Sequence, residues 1–263
     1  MEINDSFPLP VVRPKQAWPG VQAFCTTRIG GVGAAPYDTL NLGLGAGDLP
    51  ETVLANRRLL SHLVPSDPHW LKQVHGVRVV DADDGNSFAN VMNPPEADAS
   101  VTTSPERVLA VLTADCLSVV MSDNRGTVLG AAHAGWKGLA AGVLEETFAL
   151  MRHKQPLAGG WRAWIGPGIG VESFQVGAEV CEAFAPQLAA QPQLCFPDPG
   201  IAERWRLDLA GLAKCRLEKM GVMEIELSRC CTVKQPKQFF SYRRDHQTGR
   251  MATLAWLSCV RFP

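Results

Sequence analysis

The chain lacks the long apolar run of a membrane helix: nothing in it approaches the ~20 consecutive apolar residues that span a bilayer. It also lacks an imbalance of charge. Lys and Arg number 25 against 26 Asp and Glu, and a net charge of −1 carries no signature of a nucleic-acid or membrane-surface binder. Its first residues include Glu2 and Asp5, with no basic start followed by an apolar stretch, so they do not read as a secretory signal. A cytoplasmic protein is expected. No Cys-x-x-Cys pair occurs, and the eight cysteines fall at irregular spacing. In a reducing compartment most of them act as small buried hydrophobes. There is no Gly-x-Ser-x-Gly elbow and no phosphate loop, which counts against a serine hydrolase or a nucleotide triphosphatase. Gly166-Pro167-Gly168-Ile169-Gly170 is not a dinucleotide fingerprint, because the third glycine is misplaced and a proline interrupts it. It reads as a tight strand-to-helix loop. Repeats, low-complexity tracts and Pro/Gly/Ser linkers are missing too.

What remains is a chain able to bury a sizeable core, with 46% hydrophobic and 19% charged residues. One domain over 1–263 is expected, with its core over about 20–260 and an N-terminal extension at 1–15. Strand-forming residues mark 21–27, followed by a glycine-rich loop at 28–33. Helical spacing marks 53–63, with Thr52 as its cap. Strands are expected at 70–74, 77–80, 108–113, 119–121, 127–132, 161–165, 223–227 and 251–260. Helices are expected at 139–151, 176–188 and 207–220. The order is α/β without strict alternation, and several neighbouring strands look antiparallel. The expected fold is therefore α/β (α+β-like), a mixed, partly antiparallel sheet arrangement flanked by helices.

Three short segments carry the chemistry: Lys72-Gln73-Val74-His75-Gly76, Thr113-Ala114-Asp115-Cys116 and Ala132-His133-Ala134-Gly135-Trp136-Lys137-Gly138. Each places one metal-ligand side chain, His75, Cys116 or His133, where an apolar run gives way to glycine or polar residues. Two imidazoles and a thiolate supply three of the four positions of a zinc ion, and a fourth left open marks a catalytic site. The separations match no local zinc-finger spacing, so the reading rests on three similar strand-end contexts. The competing reading of His133 is a core histidine satisfied by a backbone carbonyl. Asp115 would raise the pKa of a free Cys116 thiol, a difficulty that metal binding removes. Asp115 then either orients a ligating histidine, acts as a general base, or simply caps a strand end.

Basic residues near these segments suit an anion. Lys72 beside Gln73 is either a phosphate or carboxylate contact or a solvated lysine. Arg28 with Arg57 and Arg58 forms one cluster. Phe239-Phe240-Ser241-Tyr242-Arg243-Arg244-Asp245 forms another, in which Phe240 or Tyr242 can stack on a flat base. His246 lies close enough in sequence to approach the same site.

Together these pieces resemble the YfiH-like family, also called the laccase-domain or multicopper polyphenol oxidase family. The matching segments are Thr26-Thr27-Arg28-Ile29-Gly30-Gly31-Val32, Leu40-Asn41-Leu42-Gly43, Asn56-Arg57, the three segments above, and Phe240-Ser241-Tyr242-Arg243-Arg244-Asp245 with Thr248-Gly249-Arg250. Ser118 stands where the family usually has proline, and Lys137 where it usually has arginine. Lys137 keeps the charge but loses the fork, so no bidentate role falls to it.

The resemblance implies a single-domain layered fold and a zinc held by His75, Cys116 and His133. It implies phosphorolysis of adenosine, inosine and methylthioadenosine to free base and ribose 1-phosphate, with adenosine deamination besides. Asp115, Cys116, His75 and His133 are then the catalytic candidates. Arg28, Asn41, Arg57, Lys72, Gln73, Tyr242 and Arg243 are the substrate-binding candidates, with Arg57 and Arg243 on phosphate. Partners would be nucleoside and phosphate, and the chain a monomer or homodimer. The older family name implies copper-dependent phenol oxidation, and Cu2+ can enter such a site because copper outranks zinc in intrinsic affinity. Six histidines, however, cannot fill a multicopper centre. Editing of cell-wall precursors is another family association. Two further classes stay open: a cysteine hydrolase with Cys116 as nucleophile and His133 as base, and a non-catalytic metal-binding module.

Overall fold

Strands whose apolar residues alternate between two buried faces need cover on both sides. In the computed structural model, which describes residues 9–84 and 92–259, stacked layers supply that cover. The strands are β1 (Val11–Val12), β2 (Val21–Thr26), β3 (Val79–Asp81), β4 (Ala99–Thr102), β5 (Leu109–Thr113), β6 (Leu117–Ser122), β7 (Leu129–Ala134), β8 (Arg162–Ile165), β9 (Gln175–Val176), β10 (Cys195–Pro197), β11 (Trp205–Leu207), β12 (Glu224–Leu227) and β13 (Met251–Leu257). The helices are α1 (Pro50–Leu60), α2 (Trp136–Ala141), α3 (Val143–Lys154), α4 (Ala178–Ala183), α5 (Ala185–Ala190), α6 (Leu209–Lys219) and α7 (Tyr242–Asp245).

A six-stranded mixed sheet runs β12-β8-β6-β7-β4-β3, parallel only at its two outer pairs. A four-stranded antiparallel sheet runs β1-β2-β13-β5, and a small antiparallel sheet runs β10-β11-β9. On β6, Leu117, Val119 and Met121 face one core with Leu144 of α3 and Leu212 of α6, whereas Val120 faces the other way. Val120 joins Val111 of β5, Leu129 of β7, Trp164 of β8 and Met251 of β13 in a core between the two large sheets. The outer face of the four-stranded sheet, with Phe24, Ala110 and Leu254, packs on Leu60 of α1 and on Leu40, Leu42 and Trp70. The expected α/β fold with partly antiparallel sheets and flanking helices is what forms, as a single domain.

Local expectations differ from the structure where one residue overrides a pattern. The expected helix over 139–151 begins earlier, at Trp136, and breaks at Gly142, which has φ 105° and donates to Gly138 O and Leu139 O. Glycine adopts this left-handed turn without a Cβ penalty, so α2 ends and α3 starts there. The expected helix over 176–188 starts as β9 and splits into α4 and α5, because Pro186 cannot continue a helix through its missing N–H. At 53–63 the helix starts instead at Pro50, with Leu49 as N-cap, so Thr52 is not the cap. The expected strand at 70–74 is not one. There the Gln73 side chain donates Nε2–H to Leu112 O (2.8 Å) and accepts Leu112 N–H (2.7 Å), standing in for a partner at the free edge of β5. β4 went unread because Ala99-Ser100-Val101-Thr102 has no apolar run of its own and is buried by β3 and β7. Of the N-terminal extension, residues 1–8 lie outside the described residues. Leu9, Val11 and Val12 are buried, and β1 pairs with β2. Val260, the expected end of the last strand, also lies outside them. Among the described residues no helix is long and apolar enough to cross a membrane.

One polar clamp fastens the strand that follows His75 to α3. Asp83 accepts hydrogen bonds from Thr102 Oγ1 (2.5 Å), Thr103 N (2.8 Å) and Thr103 Oγ1 (2.9 Å), and Lys154 Nζ lies 3.0 Å away. Burial by itself would raise the Asp83 pKa. The hydrogen bonds outweigh it and hold the carboxyl below the usual carboxylate range. Its folded pKa is depressed, so its contribution is complete above the unfolded-chain value of about 3.9 and drains away as pH falls below it. Asp83→Ala is expected to lower unfolding stability by about 1–3 kcal/mol at neutral pH, with the gap to the parent narrowing below about pH 4. Urea denaturation of both proteins across that range measures it.

Candidate metal centre and cavity

Cys116 sits where the chain passes from one large sheet to the other. β5 belongs to the four-stranded sheet and β6 to the six-stranded one, and only Ala114-Asp115-Cys116 joins them. So short a crossing forces Asp115 to φ 99°, a region non-glycine residues rarely occupy. The Asp115 carboxylate anchors the turn, accepting from Thr232 Oγ1 and from Arg243 N, both at 2.6 Å. Of the three roles open to Asp115, these bonds match the cap at a strand end, and the carboxylate is not hydrogen-bonded to His75 or His133.

His133 lies on β7, registered opposite Ser118 of β6, which brings it beside Cys116. His75 arrives from a loop and is also in the left-handed region, at φ 62°. The residue that holds this loop is Asp98, fully buried at the head of β4. Its carboxylate accepts Val74 N (3.2 Å), His75 N (2.9 Å) and Gly76 N (2.7 Å), and binds His133 Nδ1 at 2.8 Å. Burial would raise the Asp98 pKa; these bonds prevail and keep the carboxyl below its ordinary range.

With Nδ1 of His133 committed to Asp98, Nε2 is the nitrogen left for the cavity. The ligand atoms of His75, Cys116 and His133 lie within 4.8 Å of one another, and Cys116 Sγ is 3.7 Å from His75 Nε2. Bonds of about 2.0–2.3 Å in a tetrahedron set ligand atoms about 3.3–3.7 Å apart, so a small inward shift completes three sides of such a site. Burial pushes the Cys116 thiol up, but the neighbouring His133 and His75 imidazoles overcome it and bring the thiol down to about 6. Burial likewise disfavours a charged His133, while Cys116 and Asp98 raise its pKa to about 9. Thiolate and imidazolium thus support each other. Glycine makes room: a Cβ on Gly135 would lie 2.8 Å from His75 Cδ2 and 3.0 Å from Cys116 Sγ. The donor set, its carboxylate-backed histidine and this space all fit a tetrahedral metal ion.

The three side chains line a cavity of about 710 Å³, the size range of small-ligand sites. Arg57, Lys72, Gln73 and Tyr242 line it as well, together with Thr113 and Arg250. Arg28, Asn41, Asp115 and Arg243 are not among the lining residues. Arg28 binds Asp38 and Pro236 O and lies over the Phe240 ring. Asn41 is buried, where its Oδ1 accepts from Gly43 N and Arg250 N. Arg243 turns its guanidinium to Ser173 O and Gln175 O. His246 stands edge-on to Tyr242, 6.0 Å away. Arg57 rests 3.9 Å over the Trp70 ring and donates Nε–H to Leu42 O. Sequence reasoning missed Asp98 and did not single out Arg250. The one signal for Asp98 was a lone charge between small residues, Ala97 and Ala99.

Fold and site define a layered α/β protein with one two-histidine, one-cysteine centre in a cavity wall. The chain belongs to the family described as multi-copper polyphenol oxidoreductase laccase, which it matches over residues 22–258. It is 45% identical over 245 residues to a Shigella flexneri protein named purine nucleoside phosphorylase YfiH, covering 91% of this chain and 96% of that one. It is 43% identical over 251 residues to a Xylella fastidiosa protein named purine nucleoside phosphorylase, covering 92% and 94%. A crystal structure of a Neisseria meningitidis protein superposes with a TM-score of 0.84 at 37% identity, over 96% of this chain and all of that one (100%). YlmD from Geobacillus stearothermophilus gives 0.82 at 28%, over 95% and 100%. The resemblance to YfiH-like proteins thus holds along nearly the whole chain.

Asp98 backs the centre, so its removal should loosen it. Asp98→Asn keeps the size and loses the charge that orders both the His75 turn and the His133 ring. Zinc affinity, read by competition with a chromophoric chelator, is expected to fall about 10–100-fold.

Proposed function

We propose that this protein is a zinc-dependent purine nucleoside phosphorylase, acting on adenosine, inosine and S-methyl-5′-thioadenosine and deaminating adenosine as a side reaction. The observation that carries this reading is the convergence of His75, Cys116 and His133 within 4.8 Å, in the wall of a nucleoside-sized cavity that also presents Arg57, Arg250 and Tyr242. Relatives named purine nucleoside phosphorylase support it.

In phosphorolysis a phosphate oxygen bonds to the anomeric carbon as the bond from that carbon to the purine nitrogen breaks. The purine leaves with the bonding pair and takes up a proton. His75, Cys116 and His133 would hold zinc, which supplies a Lewis-acidic position at neutral pH. The chain's own residues do the rest. Asp98 fixes the His133 ring and the His75 turn before substrate arrives. Tyr242, 56% exposed, offers its ring face to a purine. Leu71, Leu112 and Ala114 give the cavity an apolar wall that excludes water. Gln73 shapes the wall rather than reading substrate, since Leu112 takes both ends of its amide.

The oxidase reading is less well supported. Four-electron oxygen chemistry needs several coppers, and among the described residues His75, Cys116 and His133 form the one group able to hold a metal. One observation favours a cysteine hydrolase: Cys116, His133 and Asp98 follow in the order of a nucleophile, a base and the group that orients it. His75, whose ring stands edge-on to His133 at 4.8 Å, is surplus to that chemistry and needed for the metal.

Inosine incubated with phosphate should yield hypoxanthine and ribose 1-phosphate, and no hypoxanthine without phosphate. Cys116→Ala is expected to lose bound metal and turnover together. Full phosphorolysis by metal-free Cys116→Ala would overturn the proposal.

A further inference from the structure

The cavity wall holds two half-buried guanidinium groups, and among the described residues no carboxylate is hydrogen-bonded to either. Arg57 spends Nε–H on Leu42 O, and its Nη1 is closed off from solvent with no hydrogen-bond partner. Burial lowers its pKa to about 10. Arg250 donates only to two backbone carbonyls, Thr248 O and Gly249 O, and its pKa is also lowered by burial. The two arginines meet across one stretch of chain. Arg57 is bonded to Leu42, while a Cβ on Gly43 would lie 2.7 Å from Arg250 Cγ, and Leu42 N donates to Arg250 O. Next to Arg250, Met251 is registered opposite Thr113, the end of β5. Thr113 is buried, lines the same cavity, and its Oγ1 has no partner.

Partly desolvated guanidinium N–H groups left without acceptors are costly, and so is an unmade hydrogen bond from a buried hydroxyl. Both costs vanish if the cavity receives an oxyanion. Arginine forks suit the oxygens of a tetrahedral anion, and a threonine hydroxyl adds a third donor. We propose that Arg57, Arg250 and Thr113 form the phosphate subsite of this cavity. The inference rests on the phosphorolytic reading above and corrects one expectation. Arg243, the residue paired with Arg57 for phosphate on the sequence, holds Ser173 and Gln175 carbonyls instead. Lys72 is the other cation in the wall, but it is exposed and lies 3.3 Å from Glu96, so its charge is already met.

Thr113→Val is the informative variant, since it breaks no hydrogen bond and keeps the shape. Thr113→Val and Arg250→Gln are each expected to raise the phosphate KM about tenfold or more, with the inosine KM within about threefold. Arg152→Gln, on the exposed side of α3, should leave both constants unchanged. Thermal melting confirms that each variant is folded. A second readout needs no turnover. Trp70 is stacked on Arg57, so titrating inorganic phosphate into the protein as purified should change tryptophan emission saturably, and Trp70→Phe should abolish the change. If phosphorolysis proceeds and the phosphate KM is unmoved in both Thr113→Val and Arg250→Gln, the subsite is wrong while the function stands. If no phosphorolysis occurs, a saturable phosphate response lost in Arg57→Gln and Arg250→Gln keeps the subsite. Absence of that response overturns it too.

Discussion

A single buried carboxylate organises this site. Asp98 has no access to water and would be untenable there as a bare charge. Four donors make it tenable: three successive backbone N–H groups from Val74 to Gly76, and the His133 ring. The dependence runs both ways. A left-handed backbone at His75 is a small strain, and the bonds to Asp98 offset it. The His133 ring could present either nitrogen, and the bond to Nδ1 selects which one. Two ligands separated by 58 residues in sequence are thereby tied to the same pair of oxygen atoms. The three side chains are held in place by the polypeptide itself, a preorganisation that would spare a bound ion the cost of ordering them.

The third ligand comes from the way the sheets are stacked. A three-residue crossing between two sheets leaves no slack, and Cys116 is its last member. Because β6 and β7 are paired, the thiol that precedes β6 falls beside the histidine near the end of β7. The glycines of the segment after His133 serve this closeness. Gly135 admits the His75 ring and the Cys116 sulfur, and a Cβ on Gly138 would lie 2.8 Å from Gly76 O. Helix α2 can therefore start directly against the His75 turn. Substitution of either glycine would push apart the loops that Asp98 draws together.

Cys116 and His133 were legible in the sequence because they stand where apolar strands end, and strand ends gather at the rim of a sheet; His75 was legible only through strand formers that in the structure make a loop. The layered fold was legible from continuous apolar runs such as Leu109 to Thr113, which mark strands covered on both faces. What could not be read was direction and reach. Arg243 and Arg250 lie in one basic stretch, and only the turn through α7 sends the first outward and the second into the cavity. Asp98 immediately precedes β4, a four-residue strand with no apolar pattern, recognised only once β3 and β7 flank it. The segment at 70–74 carries strand formers, yet the Gln73 side chain takes the edge of β5 that a backbone would have taken. In each case a tertiary contact outweighed a local tendency.

Charge balance separates the candidate activities better than the ligands do. The thiolate and imidazolium of Cys116 and His133 offset each other, and Asp98 is satisfied by its donors. Arg57 and Arg250 remain, half-buried and with no carboxylate hydrogen-bonded to either among the described residues, so their donors are the ones left for an anion. A neutral phenol does not use them, and neither does a nucleoside alone. A phosphate dianion would, and it would bring the oxygen nucleophile that cleavage of a nucleoside without water requires. Under the proposed phosphorolysis an anionic co-substrate would turn those unmade hydrogen bonds into binding energy, whereas phenol oxidation would leave them unmade.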